Sequence, residues 1–444
     1  MQKIQLSDHF TYKKLLQFTL PSIVMMVFTS VYGVVDGFFV SNFAGQDAFV
    51  AVNFIWPFLM LLGALGFMFG AGGSALVAKT LGEGNNERAN RLFSLFVYVS
   101  IALGVVIAAI GIAVLRPVTI LLGADTELLI ENCVAYGVII LIALPAYMLQ
   151  MEFQSFFVTA EKPTLGLIFT LASGLTNIVL DALFVAIFQW GIMGAAAATA
   201  ISQAVGGIGP LFYFFSKNKS LLRLTKTKFD GKALFQACSN GSSELLSNVS
   251  MSLVGMLYNA QLMKYADQDG VSAYGVLMYV SMIFISIFIG YSVGTAPVVG
   301  YHYGARHDQE LKSLRKKSIL LVGLTSICML LLAETLAIPL SRLFVRDDPE
   351  LLALTQRAFF IYSFSFLFAG VSIYGSSFFT ALNNGPISAL LSFLRTVIFQ
   401  VAAVMLLPIK LDTDGIWLSV VVAEALAAIV TVICFFALRK KYKY

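Results

Sequence analysis

Two acids stand inside apolar runs, Asp36 within Ser30-Val-Tyr-Gly-Val-Val-Asp-Gly-Phe-Phe-Val40 and Asp181 at the end of Asn177-Ile-Val-Leu-Asp181. An ionised carboxylate in hydrocarbon costs about 2.5 to 3.5 kcal/mol on insertion scales, so one that is kept there marks a candidate site. The i, i+4 spacing of Asn177 and Asp181 sets amide and carboxylate on one helical face. Thr199 and Tyr136 lie in neighbouring apolar runs. Two carboxylates, an amide carbonyl and a hydroxyl are an oxygen-ligand set suited to a hard cation such as Na⁺. The same pair could instead hold a proton, because burial and a like-charged neighbour both favour the neutral carboxyl group. Residue types alone leave these two open.

The elements that position these residues follow from composition. Of 444 residues, 59% are hydrophobic and 12% charged, a balance that a soluble domain could hardly carry on its surface. Runs of about 20 apolar residues occur at 15–42, 50–78, 92–115, 130–160, 164–188, 191–215, 236–263, 271–300, 318–340, 354–381, 386–408 and 415–438. We expect an all-α integral membrane protein of twelve transmembrane helices, the fourth and tenth long enough to tilt. The first run is far longer than a signal-peptide core and reads as a retained span. At about 1.5 Å per residue, Asp36, Asp181, Thr199 and Tyr136 fall in the outer half of the first six spans, with Asn177 a turn deeper.

Lys and Arg set the orientation. With twelve spans, 22 of the 29 fall on the side carrying both termini (Lys3, Lys13 and Lys14; Arg439, Lys440, Lys441 and Lys443) and the basic connection from Lys217 to Lys232. The other side holds Arg116, Lys264, Arg342, Arg346, Arg357 and Lys410, and Arg395 lies within a span. The termini and that connection are therefore expected in the cytoplasm, and the chain in the cytoplasmic membrane. The net charge of +5 reflects topology and contact with anionic membrane lipids, with no nucleic acid as partner.

The two halves match at an offset of 222 residues: Ser155-Phe-Phe157 with Ser377-Phe-Phe379, Ser30 and Gly33 with Ser252 and Gly255, and 75–82 with 297–304. Glu127-Leu-Leu129 returns, one residue out of phase, as Glu350-Leu-Leu352. The expected plan is an N-terminal six-helix unit at 1–216, a basic linker at 217–235 and a C-terminal six-helix unit at 236–444. Because six is even, both copies enter the membrane from the same side, as parallel repeats. At this offset Asp36 falls on Tyr258, Asn177 near Gln400 and Asp181 near Val404, so the acid pair has no copy.

Asp36 with Pro21 fifteen residues before it, Asn177-Ile-Val-Leu-Asp181, Gly191-Ile-Met-Gly-Ala195 with Thr199 beyond it, and the turn Lys79-Thr-Leu-Gly-Glu-Gly84 together resemble the multidrug and toxic compound extrusion (MATE) family. The resemblance spans essentially the whole chain. It implies two six-helix lobes facing each other as a V around a central cleft, and secondary antiport of bulky, often cationic compounds driven by inward Na⁺ or H⁺. It assigns the ion or proton site to Asp36, Asn177, Asp181 and Thr199 with Tyr136 beside it, as in the prokaryotic branch that keeps this set. Gln154 stands where members have an Asn in span 4. Another branch has acids in spans 7 and 10; Glu244 matches the first, whereas span 10 has none.

Other residues complete the expectations. Glu244 and Arg395 lie at similar depth and read as an ion pair. Glu152, Glu334 and Glu424 read as hydrogen-bonded within the bundle or near a headgroup. Pro21 removes one backbone hydrogen bond and favours a kink in span 1. Candidates to line a cleft for varied substrates are Met25, Met26, Phe54, Trp56, Met148, Tyr258, Met278, Tyr279, Met282 and Tyr374. His9, His302 and His307 form no metal-ligand pattern, no Gly-x-x-x-x-Gly-Lys loop is present, and Cys133, Cys238, Cys328 and Cys434 have no CxxC spacing. The leading reading is an ion-coupled exporter, not an enzyme, working as a monomer on small-molecule substrates with no cofactor beyond the transported H⁺ or Na⁺. A flippase for lipid-linked oligosaccharides would need a cationic cleft, and a membrane transferase convergent His, Asp or Cys groups at one face.

Overall fold

In a computed structural model, residues 4–344 and 349–444 are described; Lys3 and Arg346 of the charge count lie outside them, as does the Ser252 side chain. The first six helices are α1 (Tyr12–Phe39), α2 (Gln46–Gly82), α3 (Asn86–Leu121), α4 (Glu127–Thr159), α5 (Pro163–Asp181) and α6 (Gly191–Phe215). After an extended connection come α7 (Gly231–Gly304), α8 (Asp308–Phe344), α9 (Pro349–Ser363), α10 (Phe366–Ala381), α11 (Gly385–Phe393), α12 (Phe399–Leu406) and α13 (Pro408–Tyr442). Side chains cap several starts: Thr11, Asn85 and Thr126 accept from the amides of Lys14, Arg88 and Leu129.

Among the described residues ten helices are long and apolar enough to cross a membrane, eleven with the bent pair α9–α10 counted as one. At about 1.5 Å per residue the 74 residues of α7 would run far beyond one bilayer. Backbone breaks at Ala266 and Asp267 divide it, recovering the two spans expected at 236–263 and 271–300. The span expected as one helix over 354–381 is instead bent by 47° between α9 and α10. Pro21 stands inside α1, which is continuous on both sides of it.

The duplication is visible in the backbone. Left-handed residues pair at the 222-residue offset: Gly45 (φ 95°) with Asp267 (φ 49°), Gly84 (80°) with Arg306 (57°), and Glu161 (58°) with Asn383 (56°). The break in α7 at Asp267 is thus the copy of the turn between α1 and α2. Packing repeats as well. Phe157 meets Tyr213 at 5.9 Å between centroids, and its copy Phe379 meets Phe435 at 5.5 Å. These repeated Phe-Phe motifs anchor an aromatic cluster in each half, each pair adding about 0.5–1.5 kcal/mol beyond burial.

The halves touch along α2 and both arms of α7, and this contact obeys the same offset. A Cβ added to Gly82 would lie 2.0 Å from the Tyr301 carbonyl, and one on Gly304 would lie 2.0 Å from that of Lys79. Likewise Gly72 abuts the backbone of Gly241, and its copy Gly294 abuts Thr19. Only glycine lets backbones approach this closely. Toward the opposite end, a Cβ on Gly33, Gly37, Gly255 or Gly275 would meet nothing within 4 Å. The halves are therefore sealed at the end carrying the linker. Segment 4–11 reinforces that end: Glu161 accepts from the Leu6 amide at 2.8 Å, and Glu310 on α8 from the Phe10 amide at 2.9 Å. We expect Gly82→Ala to lower stability by about 1–3 kcal/mol through overpacking. Gly33→Ala should instead gain up to about 1 kcal/mol of helix propensity. Thermal unfolding of the two purified variants in detergent checks this, and equal melting temperatures would contradict the close-approach argument.

Candidate functional site

Asp36 lies on α1 one turn before a π-helical segment, Val40–Ala44. Asp181 is the last residue of α5, directly before a second π segment, Ala182–Ile187. Widened turns of this kind occur often at functional sites, where they re-aim side chains. Asp181, Asn177 and Thr199 are the side chains that interact with Asp36, and Tyr136 interacts with Asp36, Asp181 and Thr199. Five residues from α1, α4, α5 and α6 thus meet at one place, within the first six helices. Asp181, Tyr136 and Asn177 are at most 2% exposed.

The polar atoms of this group are unusual. Asp36 Oδ1, both Asp181 oxygens, both Asn177 amide atoms and Thr199 Oγ1 are buried and have no hydrogen bond of proper geometry within the protein. Buried polar atoms nearly always find partners, and those that do not call for a specific explanation. Two carboxylates, an amide and a hydroxyl facing one another supply the oxygen ligands a small hard cation needs, and two facing carboxyls can equally share a proton.

The structure adds residues that the spacing did not single out. Tyr32, one turn before Asp36 on the same face, interacts with both Asp36 and Gln150. Gln150 Nε2 donates to Ser173 Oγ at 3.1 Å, Ser173 Oγ donates to the Ser202 carbonyl at 2.7 Å, and Ser202 Oγ donates to the Thr199 carbonyl at 2.8 Å. A polar ring therefore runs from Asp36 through α1, α4, α5 and α6 back to Thr199. Two glycines make room for it: a Cβ on Gly206 would lie 2.6 Å from Gln150 Cδ, and one on Gly174 3.0 Å from Tyr32 Cδ1. The i−4 position of Tyr32 was the available signal; Gln150 had none. The α4 amide that joins this ring is Gln150; Gln154, a possible auxiliary by the resemblance, lies a turn away with its Nε2 buried without a partner.

The sequence pattern of the MatE family matches residues 21–183 and 245–405, two stretches that together cover most of the chain. The chain belongs to the MatE family. It is 24% identical over 432 residues to the multidrug export protein MepA of Staphylococcus haemolyticus (strain JCSC1435), covering 97% of this chain and 94% of that one. A crystal structure of MATE in complex with MaL6 superposes with a TM-score of 0.93 at 22% identity, covering 99% of this chain and 100% of the other. An outward-facing multidrug resistance MATE transporter of the MOP superfamily superposes with a TM-score of 0.92 at 21% identity, covering 99% of each chain. This MatE chain is accordingly a multi-pass membrane transporter, and its matched stretches begin in α1 and in the first arm of α7, in keeping with the duplication.

The second half of this MatE protein carries a different chemistry. Tyr258, the copy of Asp36, approaches Gln400 Oε1 at 2.5 Å and Ser419 Oγ at 2.8 Å, and its ring stacks on Tyr274 at 5.5 Å. This neutral group, with Tyr258 and Gln400 bonded directly, stands where the first half has the acids. The pairing expected between Glu244 and Arg395 is corrected. Arg395 Nε donates to both Glu424 oxygens, at 3.0 and 2.9 Å, while Glu244 is a neighbour of Arg395 without a hydrogen bond to it. The reason is local: Arg395 sits in a third π segment, Leu394–Ile398, which aims it at α13. Glu334 accepts from Ser363 Oγ as expected, whereas Glu152 departs from the expectation: it is fully buried beside Ser100 and both its oxygens lack a hydrogen-bond partner within the protein.

The ten cleft candidates divide by exposure. Met25, Met148, Tyr258 and Tyr374 are each 2% exposed or less and belong to the packed interior. Met26, Phe54 and Met278 are half-buried, whereas Trp56, Tyr279 and Met282 are exposed. Met282 lies at the junction of the halves, where Ser30 Oγ reaches its carbonyl at 3.4 Å.

Proposed function

We propose that this protein is an antiporter that exports bulky, often cationic compounds across the cytoplasmic membrane in exchange for H⁺ or Na⁺. The observation that carries this reading is the convergence of Asp36, Asn177, Asp181, Thr199 and Tyr136, with Asp36 Oδ1, both Asp181 oxygens, both Asn177 amide atoms and Thr199 Oγ1 unpaired within the protein. The multidrug export function named for the MepA relatives supports it. The units at 1–216 and 236–444 act as two lobes of one monomer joined by the linker 217–235, with both termini in the cytoplasm. On that orientation the sealed linker end faces the cytoplasm and the gap beyond Gly33 and Gly255 faces outward.

The cycle follows from linkage. An ion entering from outside binds the Asp36/Asp181 site, and its binding favours release of substrate and return to the inward-facing state. This requires that ion and substrate prefer different states or compete, since a ligand with equal affinity for both states shifts nothing. A bend of α1 at Pro21 carries that preference. A lipid-linked oligosaccharide flippase is disfavoured because Arg395, the base such a cleft would call on, is neutralised by Glu424. Proteoliposomes with imposed Na⁺ or pH gradients test the proposal. Gradient-dependent flux of a cationic dye is expected, and its absence under both gradients would overturn the reading.

A further inference from the structure

A cavity of about 1090 Å³ lies at the linker end, lined by Arg88 and Arg91 of α3 and by Lys226, Lys228, Phe229 and Lys232. Its wall is built, not merely basic in composition. The connection between α6 and α7 is pinned in extended form along α3: Asn90 Oδ1 accepts from the Arg223 amide at 2.5 Å, and Ser94 Oγ from the Thr225 amide at 2.8 Å. This register sets three lysines opposite two arginines. The nearby acids compensate little. Asp230 Oδ1 is engaged by the Lys232 and Ala233 amides at 3.1 Å, capping α7, and Glu87 reaches Arg91 only at 3.6 Å on an exposed surface. One aromatic lines it, Phe229, which is 80% exposed; outside the cavity, near the two ends of the connection in sequence, Phe215 and Phe235 are 75% and 76% exposed. Cations around a concavity with an exposed ring, Phe229, in its wall match the headgroup layer of an anionic leaflet, where rings sit at the boundary and cations meet phosphate.

We propose that this cavity binds the phosphodiester headgroup of an anionic phospholipid, tying the linker between the two halves to the bilayer. Free phosphate shares the recognised group, and the exposed Phe229 ring favours the lipid. The test introduces Phe229→Trp and follows tryptophan quenching by brominated phosphatidylglycerol or brominated phosphatidylcholine in detergent micelles, with the unsubstituted protein as the background from its native tryptophans. A cation near an anionic surface strengthens attraction about fivefold, so half-quenching by phosphatidylglycerol is expected at a mole fraction at least about tenfold lower than by phosphatidylcholine. Adding Arg88→Gln, Arg91→Gln, Lys226→Gln and Lys228→Gln should abolish that preference, whereas Lys440→Gln with Lys441→Gln should leave it intact. Circular dichroism confirms that the variants keep their helices. Equal quenching by the two lipids, survival of the preference in the fourfold variant, or displacement by inorganic phosphate at concentrations matching the lipid would each overturn the proposal.

Discussion

Asp36→Asn protein is expected to reach the membrane at the wild-type level and to export nothing under a Na⁺ or proton gradient. The substitution keeps the shape and one acceptor oxygen and removes the charge from a buried group whose neighbours are Asp181, Asn177 and Thr199. Removing one of two facing carboxylates relieves a repulsion, so the melting temperature should not fall. What is lost is linkage. In the unsubstituted protein, substrate affinity should change with Na⁺ or pH by about 5- to 150-fold, the usual range of coupling between two sites. In the variant it should not respond. Equilibrium binding of a fluorescent substrate, titrated across pH and Na⁺ concentration, measures this. A response equal to that of the unsubstituted protein would remove Asp36 from the coupling role.

The second large effect lies in the other half. Arg395 and Glu424 form a pair whose side chains are 17% and 6% exposed. Removing one partner of a buried pair leaves a charge without compensation, which typically costs about 3–5 kcal/mol. Glu424→Leu should therefore destabilise the protein by that amount. Arg395→Met combined with Glu424→Leu should recover most of the loss, because two apolar residues of similar volume leave no stranded charge. Denaturation in mixed micelles of the single and double variants decides the matter, and a double variant no more stable than Glu424→Leu would show that the pair is not what holds these helices.

The contrast between the halves explains how much was readable in advance. Ser155-Phe-Phe157 and Ser377-Phe-Phe379 announced the duplication because close packing reuses the same large rings against the same neighbouring helix. The turn at Asp267 fell between the expected spans 236–263 and 271–300, although its residue type signals it weakly. Its copy, Gly45, carries the residue type suited to a left-handed backbone, whereas Asp267 tolerates that conformation less visibly. The acids announced themselves through cost, since hydrocarbon penalises every carboxylate alike. Which base an acid pairs with obeys no such rule. Depth matched Glu244 to Arg395, yet Arg395, in the π segment Leu394–Ile398, bonds Glu424 instead. Gln150 rather than Gln154 joined the polar ring for the same kind of reason, because one turn of helix rotation is invisible in composition.

By itself the sequence determined the helical membrane architecture, the doubling of the chain and the four helices from which a polar site had to be assembled. Each of these follows from a one-dimensional constraint: backbone hydrogen bonds with no water to replace them, residue identity at a constant offset, and the penalty on a buried charge. Only the tertiary structure decided that Asp36, Asn177, Asp181, Thr199 and Tyr136 meet, that Tyr32 and Gln150 close a ring behind them, and that the halves seal at the linker end. Those outcomes depend on how far each helix is rotated and where a wide turn is inserted. Such quantities are settled by packing between helices distant in the chain.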